Sequence, residues 1–116
     1  MRVLVCGGRD FSDRKMMREV LSRIHAERPF TCLIHGGAAG ADRLAEDWGR
    51  DEGLPVIRVD ANWDRYGRSA GPIRNGWMLD LCQPDAVVAF PGGSGTADMV
   101  ARARAAAVEV LEISKR

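Results

Sequence analysis

Short apolar runs that break off at glycine recur along this chain, and each is followed by a stretch with helical spacing. Arg2-Val3-Leu4-Val5-Cys6 stops at Gly7-Gly8, Thr31-Cys32-Leu33-Ile34 runs into His35-Gly36-Gly37, and Asp85-Ala86-Val87-Val88-Ala89-Phe90 is cut off by Pro91-Gly92-Gly93. Runs this short and this apolar read as strands buried on both faces of a parallel sheet. Between the first two, Met16, Met17, Val20, Leu21 and Ile24 are spaced for one buried helix face. That helix is expected from Ser12, its N-cap, to about Arg28, where Pro29 ends it. A second helix is expected from about Gly40 to Asp51, with Ala41, Leu44, Ala45 and Trp48 facing inward and Gly53 as a left-handed cap.

Pro55 to Val59 is the third expected strand, and Asp60 to Ala70 has no clear period. Pro72 suits the first turn of a third helix carrying Ile73, Trp77, Met78 and Leu81 on one stripe. A fourth helix from about Thr96 to Ala107 and a fifth strand from Glu109 to Ile113 follow, with a loose end after them. Strand and helix in alternation predict the α/β class: one Rossmann-like domain over residues 1–116, an open parallel sheet of about five strands with helices on both faces. Right-handed crossovers make 3-2-1-4-5 its simplest order.

Composition narrows the functional classes. The 116 residues suit one domain, and a net charge of +1 gives no bulk reason to expect nucleic acid or an anionic membrane. No apolar run approaches the roughly 20 residues that span a bilayer, and no leader pattern opens the chain, so a cytoplasmic protein is expected. Cys6, Cys32 and Cys82 lack C-x-x-C spacing, and with only His25 and His35 beside them no metal site is expected. No cofactor is expected either.

In the order 3-2-1-4-5 the three glycine turns come from neighbouring strands and line up at the carboxyl edge of the sheet, where open α/β sheets bind ligands. Glycine there lets a phosphate approach bare backbone, so that N–H groups and a helix N-terminus meet its charge. The candidate ligand-binding residues are Gly7, Gly8, Arg9, Asp10, Gly36, Gly37, Ala38, Asp42, Arg74, Asn75, Pro91, Gly92, Gly93, Ser94, Gly95 and Thr96. No Lys-Ser or Lys-Thr follows the glycines as in a Walker A motif, and the spacing does not match G-x-G-x-x-G.

Several of these residues have structural readings as well. Asp10 can cap the first helix, Asp42 and Asp98 can serve helix dipoles, and Ser94 and Thr96 can cap the fourth helix. His35 reads as a strand-end core histidine. Arg74, off the apolar stripe in the expected first turn of its helix, is free to reach a phosphate or a ribose. Asp60 stands where Rossmann domains often hold a ribose. Trp63 and Tyr66 are open to two readings, a stacking surface for a base or a small satellite core.

Gly7-Gly8-Arg9-Asp10-Phe11, His35-Gly36-Gly37-Ala38 with Gly40-Ala41-Asp42, Ala70-Gly71-Pro72-Ile73-Arg74-Asn75 and Pro91-Gly92-Gly93-Ser94-Gly95-Thr96-Ala97-Asp98-Met99 together resemble the YspA-like branch of the SLOG superfamily. The superfamily includes the LOG phosphoribohydrolases, the DNA-processing protein DprA and sensor domains for ADP-ribose-type signals. The resemblance implies a Rossmann-like fold, a nucleotide-derived ligand and often a homodimer. LOG enzymes carry P-G-G-x-G-T-x-x-E and Arg-Lys-x-x-Met motifs, whose Glu and Arg serve cleavage of an N-glycosidic bond. Here Arg74 and Met78 match, Asn75 replaces the Lys, and the Glu position is Met99 with Asp98 one residue early. Arg74 and Asp98 are therefore the candidate catalytic residues.

Two functions follow from this reading. The first is a module that binds a nucleoside monophosphate or ADP-ribose-like ligand, as a sensor or a sequestering protein; the second is a nucleotide N-glycosidase. Single-stranded DNA binding is not expected, because the basic residues are offset by acids. A homodimer is expected through Ile73, Trp77, Met78 and Leu81, with Trp48 adding to that apolar surface.

Overall fold

The computed structural model describes residues 1–114, so the end of the expected loose tail, residues 115 and 116, lies outside the described residues. Strands β1 (Arg2–Cys6), β2 (Cys32–His35), β3 (Val56–Arg58), β4 (Ala86–Ala89) and β5 (Glu109–Glu112) form one sheet in the order β3-β2-β1-β4-β5. Every neighbouring pair is parallel, with Val3 opposite Leu33 on one side and Ala86 on the other. Helices α1 (Arg14–Glu27), α2 (Ala41–Asp51), α4 (Ala70–Cys82) and α5 (Ser94–Ala105) cover it, and a short helix α3 (Trp63–Tyr66) leads through a 3-10 turn into α4. The α/β class and the order 3-2-1-4-5 are as expected from the alternation.

The three central strands are buried on both faces, which is why they read as continuous apolar runs. One face carries Val3, Val5, Leu33 and Val88 against Met17, Leu21, Ala45 and Trp48 of α1 and α2. The other carries Leu4, Cys6, Ile34 and Val87 against Met78, Leu79, Met99 and Ala103 of α4 and α5. Gly49 of α2 sits so near the sheet that a Cβ would lie 3.4 Å from Val56 Cγ2 and 3.5 Å from Leu33 Cδ1. No helix among the described residues is long and apolar enough to cross a membrane.

Four local expectations need correction. The N-cap of α1 is Asp13 rather than Ser12: Asp13 Oδ1 accepts from Met16 N–H at 2.9 Å. Asp10 therefore caps nothing there. The segment after β3 is not irregular throughout, because Asn62 Oδ1 accepts from Arg65 N–H and starts α3. Helix α4 begins at Ala70, ahead of Pro72, and α5 at Ser94, which moves Arg74, Asn75 and Asp98 out of the first turn of their helices. Trp48 and Met78 do not join the exposed α4 surface: Trp48 is fully buried in the α1/α2 core, with Nε1 donating to Ser22 Oγ at 2.9 Å, and Met78 is buried against the opposite face of the sheet.

Candidate functional site

Because β2, β1 and β4 are neighbours, the turns after them lie side by side and are bonded to one another. Gly8 N–H donates to Pro91 O at 2.9 Å, and Gly8 O accepts from Ala41 N–H at 3.1 Å and from Phe11 N–H at 3.2 Å. The turns touch so closely that three positions admit no side chain, Gly40 among them, where a Cβ would strike the Gly8 and Arg9 carbonyl oxygens. A Cβ on Gly7 would stand 2.6 Å from Ala41 Cβ, and one on Gly92 would strike Thr96 and lie 2.7 Å from Gly8 N. These glycines are explained by packing alone.

Gly93 and Gly95 are not. A Cβ at either would meet no atom within 4 Å, and neither residue has positive φ. They border an open cleft of about 930 Å³ above the sheet edge. Gly93 is the N-cap of α5 and supplies no side-chain hydrogen bond; Gly40 supplies none to α2 either, but there Ala41 N–H is taken up by Gly8 O. Uncapped N-termini leave backbone N–H groups and the positive end of the helix dipole without a chain partner. A bare floor under such donors suits an anion.

The cleft walls bring together most of the residues singled out from sequence. Gly7, Gly8, Arg9, Asp10, Gly36, Ala38, Asp42, Arg74, Asn75, Asp98 and the whole Pro91–Thr96 turn line it. Gly37 does not: its φ of +75° turns the chain toward Arg58 and Asp60, which pair with each other at 2.7 Å. His35 is a core histidine, 1% exposed, whose Nδ1 accepts from Gly37 N–H while Nε2 lies 2.7 Å from Glu46 Oε1. With Nδ1 accepting, the ring proton belongs on Nε2, facing the carboxylate. That hydrogen bond in turn holds the Glu46 carboxyl below its ordinary value.

Asp42 has a clear structural task. It is nearly buried, and its Oδ2 accepts from Gly36 N–H and Ala38 N–H, both at 3.2 Å, which shapes the β2 turn. Burial raises its pKa above the ordinary 3.8, against the pull of those two amides and of nearby His35 and Arg74. Arg74 crosses from α4 to the same turn, its Nη1 donating to Gly36 O at 2.5 Å and its Nε to Asn75 Oδ1 at 3.2 Å. Burial lowers its pKa, and Arg9 adds to the lowering, yet a guanidinium stays charged at neutral pH.

Asn75 is 4% exposed and passes the connection on. Its Nδ2 donates to Asp98 Oδ2 at 2.9 Å and to Gly95 O at 3.2 Å, and Arg102 Nε donates to the same carboxylate oxygen at 2.9 Å. Asp98 therefore stands on the cleft wall, while Met99 is fully buried in the α4/α5 core with Ala103. A step of one residue turns a side chain by about 100° about the helix axis, which separates the two.

One charged group on the cleft, Arg68, was absent from the sequence candidates, and Trp63, open from sequence to a stacking or a satellite role, joins it there. Arg68, on the 3-10 turn, and Trp63, at the start of α3, both line it, and the Arg9 guanidinium lies over the Trp63 ring at 5.4 Å. Their signal was Asn62 followed by Asp64, a cap and a first-turn acid that mark a helix start. Tyr66 packs edge to face on Trp77 at 6.1 Å and takes the satellite role.

A sequence model of the YspA, cpYpsA-related SLOG family matches residues 1–66, more than half of the chain. The chain belongs to this SLOG family. The matched residues contain the first two glycine turns and Trp63. Gene 61 protein of Mycobacterium phage D29 is 32% identical over 123 aligned residues, which cover 99% of this chain and 98% of that protein. Likeness to that protein thus also runs through the second half of the chain, where Arg74, Asn75 and the Pro91–Thr96 turn lie.

Proposed function

We propose that the cleft binds a phosphate-bearing nucleotide derivative, such as a nucleoside monophosphate or an ADP-ribose-like signal, and that the protein acts as a sensor or sequestering module. The observation that carries this reading is the uncapped N-terminus of α5, whose Gly93 and Gly95 open on empty space. The phosphate sits on that floor, where backbone N–H groups and the helix dipole oppose its charge. Arg9, Arg68 and Arg74 supply further positive charge at the walls. Membership of the SLOG family supports a nucleotide-related ligand. The three cysteines are free thiols, which suits a reducing compartment such as the cytoplasm.

A thermal-shift screen with nucleoside monophosphates, ADP-ribose and NAD tests the reading, since a ligand that binds only the folded state raises the melting temperature. A concentration-dependent rise with a phosphate-bearing nucleotide, absent with the matching nucleoside, is expected. No rise with any of them overturns it.

One observation favours a second reading, nucleotide N-glycosidase activity. Asp98 is the α5 carboxylate that borders the cleft, beside Arg74 and Asn75. A carboxylate there stabilises an oxocarbenium-like centre or activates water. Release of free base from a bound nucleotide, lost in Asp98→Asn, would establish catalysis; recovery of intact ligand after long incubation keeps the binding reading.

We also propose a homodimer through α4, where Leu81 is 78% exposed and Ile73 and Trp77 are partly exposed beside it. Light scattering over a range of concentrations tests it, and a monomer mass throughout overturns it.

A further inference from the structure

The cleft of about 930 Å³ is larger than a phosphate needs, and one wall of it is aromatic. Trp63 is 48% exposed although a large apolar side chain gains by burial. Its edge is anchored: a Cβ on Gly71 would lie 3.4 Å from Trp63 Cη2, so the indole rests on the backbone of α4. Among the described residues no aromatic ring pairs with it, unlike Tyr66 and Trp77. Its partner is the flat guanidinium of Arg9, which also lines the cleft, so a planar group entering there takes the guanidinium's place against the ring.

Trp63 also borders a second hollow of about 500 Å³, lined by Asp60, Ala61, Asn62, Asp64 and Trp77 as well. No Lys or Arg is among those residues, and two are carboxylates. Asp60 is paired with Arg58, and Asp64 adds negative charge to a lining without a cation, so a phosphate finds no partner there, whereas it is favoured at the glycine floor. The two hollows therefore orient a ligand that carries charge at one end and a neutral ring at the other, with the indole between them.

We infer that Trp63 is the platform on which the base of the ligand stacks, so that the site takes a base-bearing nucleotide and rejects the bare sugar phosphate. This rests on reading the glycine floor as a phosphate site, and it assigns specificity to a different residue. Stacking on an aromatic face tolerates any base but requires one.

Calorimetric titration of the full chain with AMP and with ribose 5-phosphate tests the inference in the wild type, Trp63→Phe and Trp63→Leu. In the wild type AMP is expected to bind roughly tenfold or more tighter than ribose 5-phosphate. Trp63→Phe keeps most of that preference. Trp63→Leu erases it while leaving the ribose 5-phosphate affinity unchanged, which also shows that the variant is folded. AMP should quench tryptophan emission in the wild type and much less in Trp63→Phe. Equal affinities for both compounds in the wild type, or an equal loss of both in Trp63→Leu, overturn the stacking role and leave phosphate binding standing. Binding of neither compound overturns both readings.

Discussion

Asn75 Nδ2 donates to Asp98 Oδ2 at 2.9 Å, and this bond joins the two helices that form one wall of the cleft. It is the middle of a chain that runs from the β2 turn at Gly36, through Arg74 and Asn75, to Asp98 and Arg102 on α5. Arg74 is thus held in place from both ends.

Asn75→Ala removes three hydrogen bonds at once and leaves the Gly95 carbonyl and the Arg74 Nε without that partner. Urea unfolding is expected to register a loss of about 1–3 kcal/mol, the usual cost of unsatisfied groups in a buried setting. Asn75→Asp should cost more at neutral pH, because it sets a second carboxylate against Asp98. A variant as stable as the wild type would mean that the chain of bonds contributes nothing.

Gly95→Ala separates stability from binding. Where the backbone already suits alanine, replacing glycine stabilises by about 0.4–1 kcal/mol through the unfolded chain, and the new methyl group meets no other part of the fold within 4 Å. The melting temperature should rise while nucleotide affinity falls, because the methyl group stands where the ligand approaches. Gly92→Ala should do the opposite to stability, since its methyl group strikes Thr96 and the Gly8 backbone. Melting curves and titrations of the pair check both directions.

Asp42 makes stability depend on pH. Its pKa is raised in the folded protein, chiefly by burial, so the folded state holds that proton to a higher pH than the unfolded chain does. Its contribution is therefore most favourable below the ordinary value of 3.8 and is lost as pH rises through the raised folded value. Asp42→Asn loses this dependence. The stability difference between wild type and Asp42→Asn, followed by urea unfolding across the acid range, should move in favour of Asn as pH rises. NMR titration of the Asp42 carboxyl should give a value above 3.8.

Cys6 borders the cleft but is no nucleophile. It is 8% exposed, and burial, with Asp42 adding to it, pushes its thiol up to about 12. The thiolate is the reactive form. Iodoacetamide at neutral pH should leave Cys6 unmodified in the native protein and label it only after unfolding, as read by peptide mass.

Much of this architecture was legible in the residues before any coordinate. The apolar runs at Val3–Cys6, Cys32–Ile34 and Ala86–Ala89 carry the sheet, because a strand buried on both faces shows up as an unbroken local pattern. Crossover handedness then supplies the order, and the order puts the three glycine turns together. Helix starts were less legible. The Asn62 cap lay inside a stretch without period, and α4 extends ahead of Pro72 by only Ala70 and Gly71, which add no new apolar stripe.

The sequence by itself determined that this is a parallel α/β sheet with a glycine-lined carboxyl edge, because periodicity and turn chemistry are properties of neighbouring residues. Only the tertiary structure decided which glycines are filled by packing, as at Gly7 and Gly92, and which stand open, as at Gly93 and Gly95. It decided that Trp48 is core and Trp63 is wall, and that Asp98 faces the cleft while Met99 faces the sheet. Those outcomes depend on the rotation of each helix against its neighbours, and a residue's own position in the chain does not encode what comes to lie across from it.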